Sequence, residues 1–483
     1  MPSTSCRRRP RSASCARSAT AASAMSAAGL AVNGGVVMLA YLLLFALLQR
    51  PVFAAALVLC AWLLVALVSG AKRRALREPL VFADFGLFSQ ALRHPRLYLP
   101  YFGTARALLA AAGLTAAFAA GLLLEDAVRV PLSAWMLLLA LSVALLAAGT
   151  RAAAGVLTLE PQRDVERHGL LASLWLYWLA ERSAPCQVSA PFAAAITRAS
   201  SFPIVVVQSE SFVDARRFFS GIHENVLASF DALSRSGLAG RLAVPVWGAY
   251  TMRTEFAFLS GIAPQRLGVH RFNPYRRFAR RPVATLASLL RSAGYRTVCI
   301  HPYPASFFAR DRVFPGLGFD EFIDLASFAQ PRRAGPYVAD AEVTGRILAE
   351  LEKGPVFVFA ITMENHGPLH LETVAPEDLR LYREQPPTGF EDLTVYLRHL
   401  GNADAMLGEL AGALERRGEG VLCWYGDHVP SMPGVYAALG FDDPRTDYCV
   451  WRAGQASPAR ADLEVEQLPF RVLEAAGLAA APG

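Results

Sequence analysis

The chain has 483 residues, of which 54% are hydrophobic and 18% charged, against about 25% charged in ordinary soluble domains. Together with a positive mean hydropathy, this excludes a wholly soluble or a largely disordered chain and points to a membrane part joined to a globular part. The net charge of +7 is no sign of nucleic acid: Arg7, Arg8, Arg9, Arg11 and Arg17, with no acid among residues 1–30, supply five of those charges, and no arginine stripe recurs later. The seven cysteines form no CxxC pair and no Cys/His metal spacing, so neither a disulfide scaffold nor a zinc finger is supported.

Residues 1–28 read as a basic, Ser/Ala-rich disordered tail, with Met25 an alternative start. The tail is no signal peptide, because no small-residue cleavage site follows the apolar run after it. Four uncharged apolar stretches come next, 30–49, 52–70, 107–124 and 131–149. Each is near the ~20 residues that cross about 30 Å of hydrocarbon, so 29–150 is expected to be a transmembrane domain of about four helices. No acidic or basic residue interrupts these runs, which disfavours a transporter. Residues 71–103 mix Arg with Phe, Leu and Tyr, as suits a segment lying in the membrane interface. Residues 151–200 are expected to be a juxtamembrane linker, whose apolar run 169–180 is too short for a further span. The arginines at 7–17, with Lys72–Arg77 and Arg151–Arg167, would by the positive-inside rule hold the C-terminal part in the cytoplasm.

Over 201–475 short β-type runs alternate with helical patterns, an α/β arrangement with a largely parallel sheet. The runs are 203–208, 296–300, 355–362 and 420–425, and helices are expected over 282–293, 338–352 and 391–417, each followed by a glycine stop.

The chemistry lies where these runs end. PIVVVQ is followed by Ser209-Glu210-Ser211, RTVCI by His301, PVFVFAIT and Met363 by Glu364-Asn365-His366, and GVLCWY by Gly426-Asp427-His428. In open α/β sheets ligands bind beyond the carboxyl ends of the strands, so these groups are expected to share one edge. Glu210, Asp427 and His428 form an O/O/N set suited to one divalent ion, Mn²⁺ or Mg²⁺ or zinc, without the thiolates of a structural zinc site. Thr251, in GAYTMRTEFAFLSG, precedes a helical pattern. A hydroxyl there sits near backbone N–H donors, and a metal at its oxygen would make it a usable nucleophile. An N-cap is the plainer use of Thr251, and Thr254 competes for either role.

Taken together, VVVQSESF, TMRTEF, HPYPASFFARDRVFPGLGFDEF, ENHGP and YGDHVP resemble the lipoteichoic-acid-synthase-type enzymes, membrane-bound phosphoglycerol transferases of the sulfatase/alkaline phosphatase superfamily. The resemblance implies N-terminal spans followed by a sulfatase-like domain with one catalytic metal, Mn²⁺ first, held by Glu210, Thr251, Asp427 and His428. It favours Thr251 over Thr254 as nucleophile. It maps substrate contacts onto His301, Phe308, Arg310 and His366, with His301 or His366 as acid or base; Phe308 stands where the family often has Trp. It implies a phospholipid donor such as phosphatidylglycerol, a cell-envelope glycan acceptor, and a multi-pass protein of the bacterial inner membrane whose catalytic domain faces the periplasm or exterior, against the arginine count. Rival readings are a phosphoethanolamine transferase or phosphodiesterase of the same superfamily and a non-catalytic glycan-binding relative. No C/S-x-P-x-R pentapeptide is present, which disfavours sulfate-ester hydrolysis.

Overall fold

The computed structural model describes residues 25–87, 103–183, 188–193 and 202–478. Most of the expected N-terminal tail, and residues 88–102 of the expected interfacial segment, lie outside these.

All four apolar stretches are helical: α1 Ala27–Leu48, α2 Pro51–Leu76, α3 Thr104–Leu124 and α4 Leu132–Ala154. Among the described residues α1, α2 and α4 are long and apolar enough to cross a membrane, while α3 contributes the shorter apolar helix Leu108–Leu124. Their ends are built from local chemistry. The Ser26 hydroxyl accepts the Gly29 N–H at the start of α1. Pro51 opens α2, where a missing N–H costs nothing. The Glu125 carboxylate accepts the Val52 and Phe53 N–H groups there at 2.7 and 2.6 Å, a negative charge at the positive end of the helix. α1 and α4 meet at small residues, which lets the two backbones approach closely. A Cβ on Gly35 would stand 2.6 Å from Leu146, and one on Gly149 would stand 2.8 Å from Val32.

The stretch expected as a linker carries two helices, α5 Pro161–His168 and α6 Leu170–Ser183. They tie the start of α1 to the globular part: Ser26 N–H donates to Arg167 O at 2.8 Å, Asn33 donates to His168 O at 2.7 Å, and Tyr177 of α6 stacks on Phe272 with ring centroids 5.3 Å apart. At the opposite end of the bundle the turn after α1 meets the turn after α3, where Val128 N–H donates to Gln49 O at 2.7 Å. The N-terminal end of α1 and the C-terminal end of α2 therefore lie on the same side as the globular part.

That part is built on a nine-stranded sheet among the described residues, ordered β10–β2–β9–β8–β1–β7–β3–β4, with β11 also on β2. The strands are β1 Ile204–Ser209, β2 Leu238–Ala243, β3 Arg296–Ile300, β4 Glu321–Ile323, β7 Val356–Ile361, β8 Val421–Gly426, β9 Thr446–Arg452, β10 Ala459–Arg460 and β11 Leu463–Glu464. A separate pair is β5 Arg333–Ala334 with β6 Tyr337–Val338. β8, β1, β7, β3 and β4 run parallel to one another; β9 is antiparallel to both β8 and β2. β1, β7 and β8 are buried along their whole length, as strands covered on both faces must be. The covering helices are α7 Ala228–Ser236, α8 Thr251–Ser260, α9 Leu286–Ser292, α10 Asp340–Leu351, α11 Glu391–Arg417 and α12 Leu468–Ala475. α7, α10 and α11 close one apolar core; α8, α9 and α12 close the other.

Candidate active site

Register decides what meets at the carboxyl edge of the sheet. Ser209 of β1 is level with Gly426 of β8, so Glu210 and Asp427 leave two adjacent parallel strands, about 4.8 Å apart, side by side. A Cβ on Gly426 would lie 1.9 Å from Phe212 O, so this close approach requires glycine. Glu210, Asp427 and His428 are all buried, and their ligand atoms lie within 4.8 Å of one another. His428 Nε2 is 3.5 Å from Glu210 Oε1 and 3.3 Å from Asp427 Oδ2.

Ser211, in the left-handed region at φ 56°, staples the group. Its N–H donates to Asp427 Oδ1 at 2.8 Å and its hydroxyl donates to Glu210 Oε1 at 2.9 Å. The Glu210 N–H donates to Thr362 Oγ1, just past β7, at 2.9 Å. Two atoms stay buried without a hydrogen-bond partner, Asp427 Oδ2 and His428 Nε2, and burial together with the Asp427 charge pushes the Glu210 carboxyl well above the carboxylate range. Crowded carboxylates with orphaned lone pairs are what a divalent cation would complete, so these residues fit the metal that the sequence implies.

α8 starts against this cluster. The Thr254 hydroxyl, fully buried, donates to Asp427 O at 2.8 Å, which fixes the first turn of the helix to the exit of β8. Thr254 is thus committed to backbone, while Thr251 is the first helical residue, buried but not sealed at 8% exposure.

His301 follows β3, whose Ile300 is level with Ala360 of β7. Its Nδ1 lies 3.0 Å from Ile361 O and its Nε2 lies 3.2 Å from an Arg310 Nη1. Arg310 is buried and forks onto Glu255 of α8, Nη2–Oε2 2.8 Å and Nε–Oε1 3.2 Å, and Glu255 also accepts the Tyr275 hydroxyl. Burial, then the Arg310 charge, holds the His301 pKa well below its usual value. His301 is neutral, donating from Nδ1 and accepting at Nε2, with both nitrogens occupied. His366 differs. It is half-buried, its Nδ1 lies 2.7 Å from Gly367 O, and burial lowers its pKa; Nδ1–H is spent on that carbonyl and Nε2 is left as acceptor. Phe308 sits at φ 55° against Phe307, with the Arg310 guanidinium 5.2 Å from its ring centroid. Beside it opens a cavity of about 490 Å³ whose walls include Leu87, Met252, Phe308, Arg276, Arg280 and Arg312.

Two supporting residues were not legible in sequence. Glu255 lay inside the quoted TMRTEF unit without a sign that it neutralises Arg310. His399, in the middle of α11, bridges Glu364 at 3.0 Å and Glu372 at 3.1 Å; burial opposes its charge, but the two carboxylates win and hold its pKa at about 9. Glu364 also accepts the Asp340 N–H and the Asn402 amide, both at 2.6 Å, which locks the loop that carries His366. Asn365, next to it, is buried with both amide atoms unpartnered. His370 is exposed and joins none of this.

The chain is 32% identical over 464 residues to the capsular polysaccharide biosynthesis protein RkpI of Rhizobium meliloti (strain 1021), covering 88% of this chain and 83% of that one. The lipooligosaccharide phosphoethanolamine transferase A (EptA) of Neisseria meningitidis, an integral membrane protein, superposes with a TM-score of 0.57 at 14% identity over 93% of this chain and 94% of that chain. The phosphoglycerol transferase GacH of Streptococcus pyogenes is 22% identical over 59% of this chain and 78% of that chain, with a TM-score of 0.48. The family profile named Sulfatase matches residues 203–477, from the residue before β1 to two residues past the last described helix. Apolar helices followed by that domain make the chain a membrane protein belonging to the sulfatase family.

Proposed function

We propose that this chain is a metal-dependent transferase that moves a phosphoglycerol head group from a phospholipid to a cell-envelope glycan through a phosphothreonine-type intermediate on Thr251. The observation that carries the reading is the Glu210–Asp427–His428 cluster, with α8 fixed to it through Thr254 so that Thr251 is presented at the same edge. Those three side chains, with Thr251, would hold one divalent ion, Mn²⁺ first, with Mg²⁺ or Zn²⁺ as alternatives. When bound, the ion supplies positive charge that favours the threonine alkoxide and steadies the phosphoryl oxygens.

Two displacements follow from the residues. In the first, the Thr251 Oγ1–P bond forms, the P–O bond to diacylglycerol breaks, and the hydroxyl proton passes to the departing oxygen. In the second, an acceptor hydroxyl attacks phosphorus, the Thr251 Oγ1–P bond breaks, and the acceptor's proton, taken by His366 Nε2, is passed on to the departing threonine oxygen, which restores both the hydroxyl and the neutral imidazole. Arg310 faces the phosphate from a fixed position, because Glu255 and His301 leave it one orientation; His301 positions Arg310 and is no proton carrier. Phe308 packs on the head group. Charge favours glycerol over ethanolamine: Arg276, Arg280 and Arg312 line the adjoining cavity and would repel an ammonium. The glycan acceptor is supported by the polysaccharide role in the name of RkpI. We place the domain outside the cytoplasmic membrane, where lipid head groups and glycans meet.

The experiment is diacylglycerol release by the full chain from vesicles of phosphatidylglycerol or of phosphatidylethanolamine. Release from the first, absent in Thr251→Ala with metal content intact, supports the reading. Release from phosphatidylethanolamine alone would replace the donor. No release from either would leave the non-catalytic glycan-binding reading.

A further inference from the structure

The turn that presents Thr251 is gripped from the membrane side. Past Leu76 the chain turns sharply at Arg77, φ 53°, and runs into a short 3-10 segment, Phe82–Leu87. Lys72, near the end of α2, pairs with Glu78 at 2.6 Å and with Asp84 at 2.7 Å. Glu78 forks onto Arg253 at 3.0 and 3.2 Å, and Asp84 accepts the Tyr250 hydroxyl at 2.8 Å. The Arg253 guanidinium lies 4.1 Å from the centre of the Tyr250 ring, and the Lys72 ammonium lies 4.9 Å from it.

Tyr250 and Arg253 bracket Thr251, one residue before and two after. Tyr250 is in the left-handed region at φ 67°, a conformation that a bulky residue keeps when its surroundings hold it there. The holding groups are two cations and two anions, and the side chains of Lys72, Asp84 and Arg253 are each 7% exposed or less. Buried charges of this kind tolerate little displacement, because a broken pair leaves an uncompensated ion.

We propose that Lys72, in the last turns of α2, and Glu78 and Asp84, in the loop that leaves it, are positioning residues for the Thr251 nucleophile, so that transfer depends on the membrane side of the molecule as well as on the catalytic domain. This rests on the reading of Thr251 given above. It goes beyond that reading by giving the membrane hairpin a part in the chemical step.

The test uses the purified full chain in detergent with Mn²⁺ and the soluble diester bis(4-nitrophenyl) phosphate, so that lipid docking does not enter. The variants are Glu78→Gln, Asp84→Asn, Tyr250→Phe and, as a control, the exposed neighbour Arg74→Gln. The expected result is a fall in kcat of tenfold or more in Glu78→Gln and Asp84→Asn, and about threefold in Tyr250→Phe. KM and metal content stay within twofold of wild type, Glu78→Asp recovers part of kcat, and Arg74→Gln matches wild type. Should the charge variants fail to fold, Tyr250→Phe, which removes one hydroxyl, decides the matter by the same split between kcat and KM. Unchanged kcat in folded, metal-loaded variants, with a working wild type, overturns the positioning role alone. A wild-type chain that never turns over the diester or carries an adduct on Thr251 overturns both readings.

Discussion

Two threonines one helical turn apart have separate jobs. Thr254 spends its hydroxyl on the Asp427 carbonyl; Thr251 stands at the helix start. Thr254→Val should therefore cost about 1–3 kcal/mol, because the buried carbonyl loses its donor, and it should loosen the metal cluster. Thr251→Val should leave the melting temperature close to wild type and abolish turnover. Parallel melts and assays of the two variants check this; equal loss of stability in both would contradict it. Glu210, Asp427 and His428 could be picked out in sequence because each directly follows a run of strand residues. The partners that fix them and their neighbours could not: Glu78 and Arg253 are 175 residues apart, and only the folded chain brings them together.

At the scale of elements, β1, β3, β7 and β8 were readable because strands buried on both faces are unbroken apolar runs. β2 and β9 were not, since LAGRLA carries glycine and arginine and lies toward the sheet edge, and TDYCVWR is interrupted by Asp447 and Arg452. The expected helix ends at Gly294, Gly354 and Gly418 proved close to right, because a left-handed glycine is a local signal. His399 shows the reverse case. Its charge depends on Glu364 and Glu372, which reach α11 from the loops after β7. Its pKa in the folded chain, about 9 against a usual 6.5, means the ion cluster stabilises the fold fully below about pH 6.5, and the contribution fades as pH rises through about 9, by about 3 kcal/mol in all. Denaturant unfolding at pH 6 and pH 10 should show that loss in wild type and much less of it in His399→Gln. An identical pH dependence in the two would contradict the assignment.

For the whole molecule, the contacts put the start of α1, the end of α2 and the catalytic domain on one side of the helical layer, and the turns at Gln49 and Val128 on the other. An even number of crossings follows if α3 spans together with α1, α2 and α4. That arrangement is compatible with an external catalytic domain only when the start of α1 is external too. The arginine distribution had pointed the other way, but Lys72 and Arg77, counted there as free positive charge, are paired with Glu78, Asp84 and Asp442. Reporters fused after Val128 and after Val156 should read cytoplasmic and external respectively; the opposite pattern would place the active site inside the cell and remove the glycan acceptor.

The central claim is that Thr251 carries the transferred group. Its most direct test is peptide mass spectrometry of the full chain, quenched in acid after brief incubation with Mn²⁺ and phosphatidylglycerol. A phosphoglycerol mass on the peptide containing Thr251, absent in Thr251→Val and in Asp427→Asn, is the result this account predicts. An adduct on another residue, or diacylglycerol release with no adduct at any time point, would contradict it.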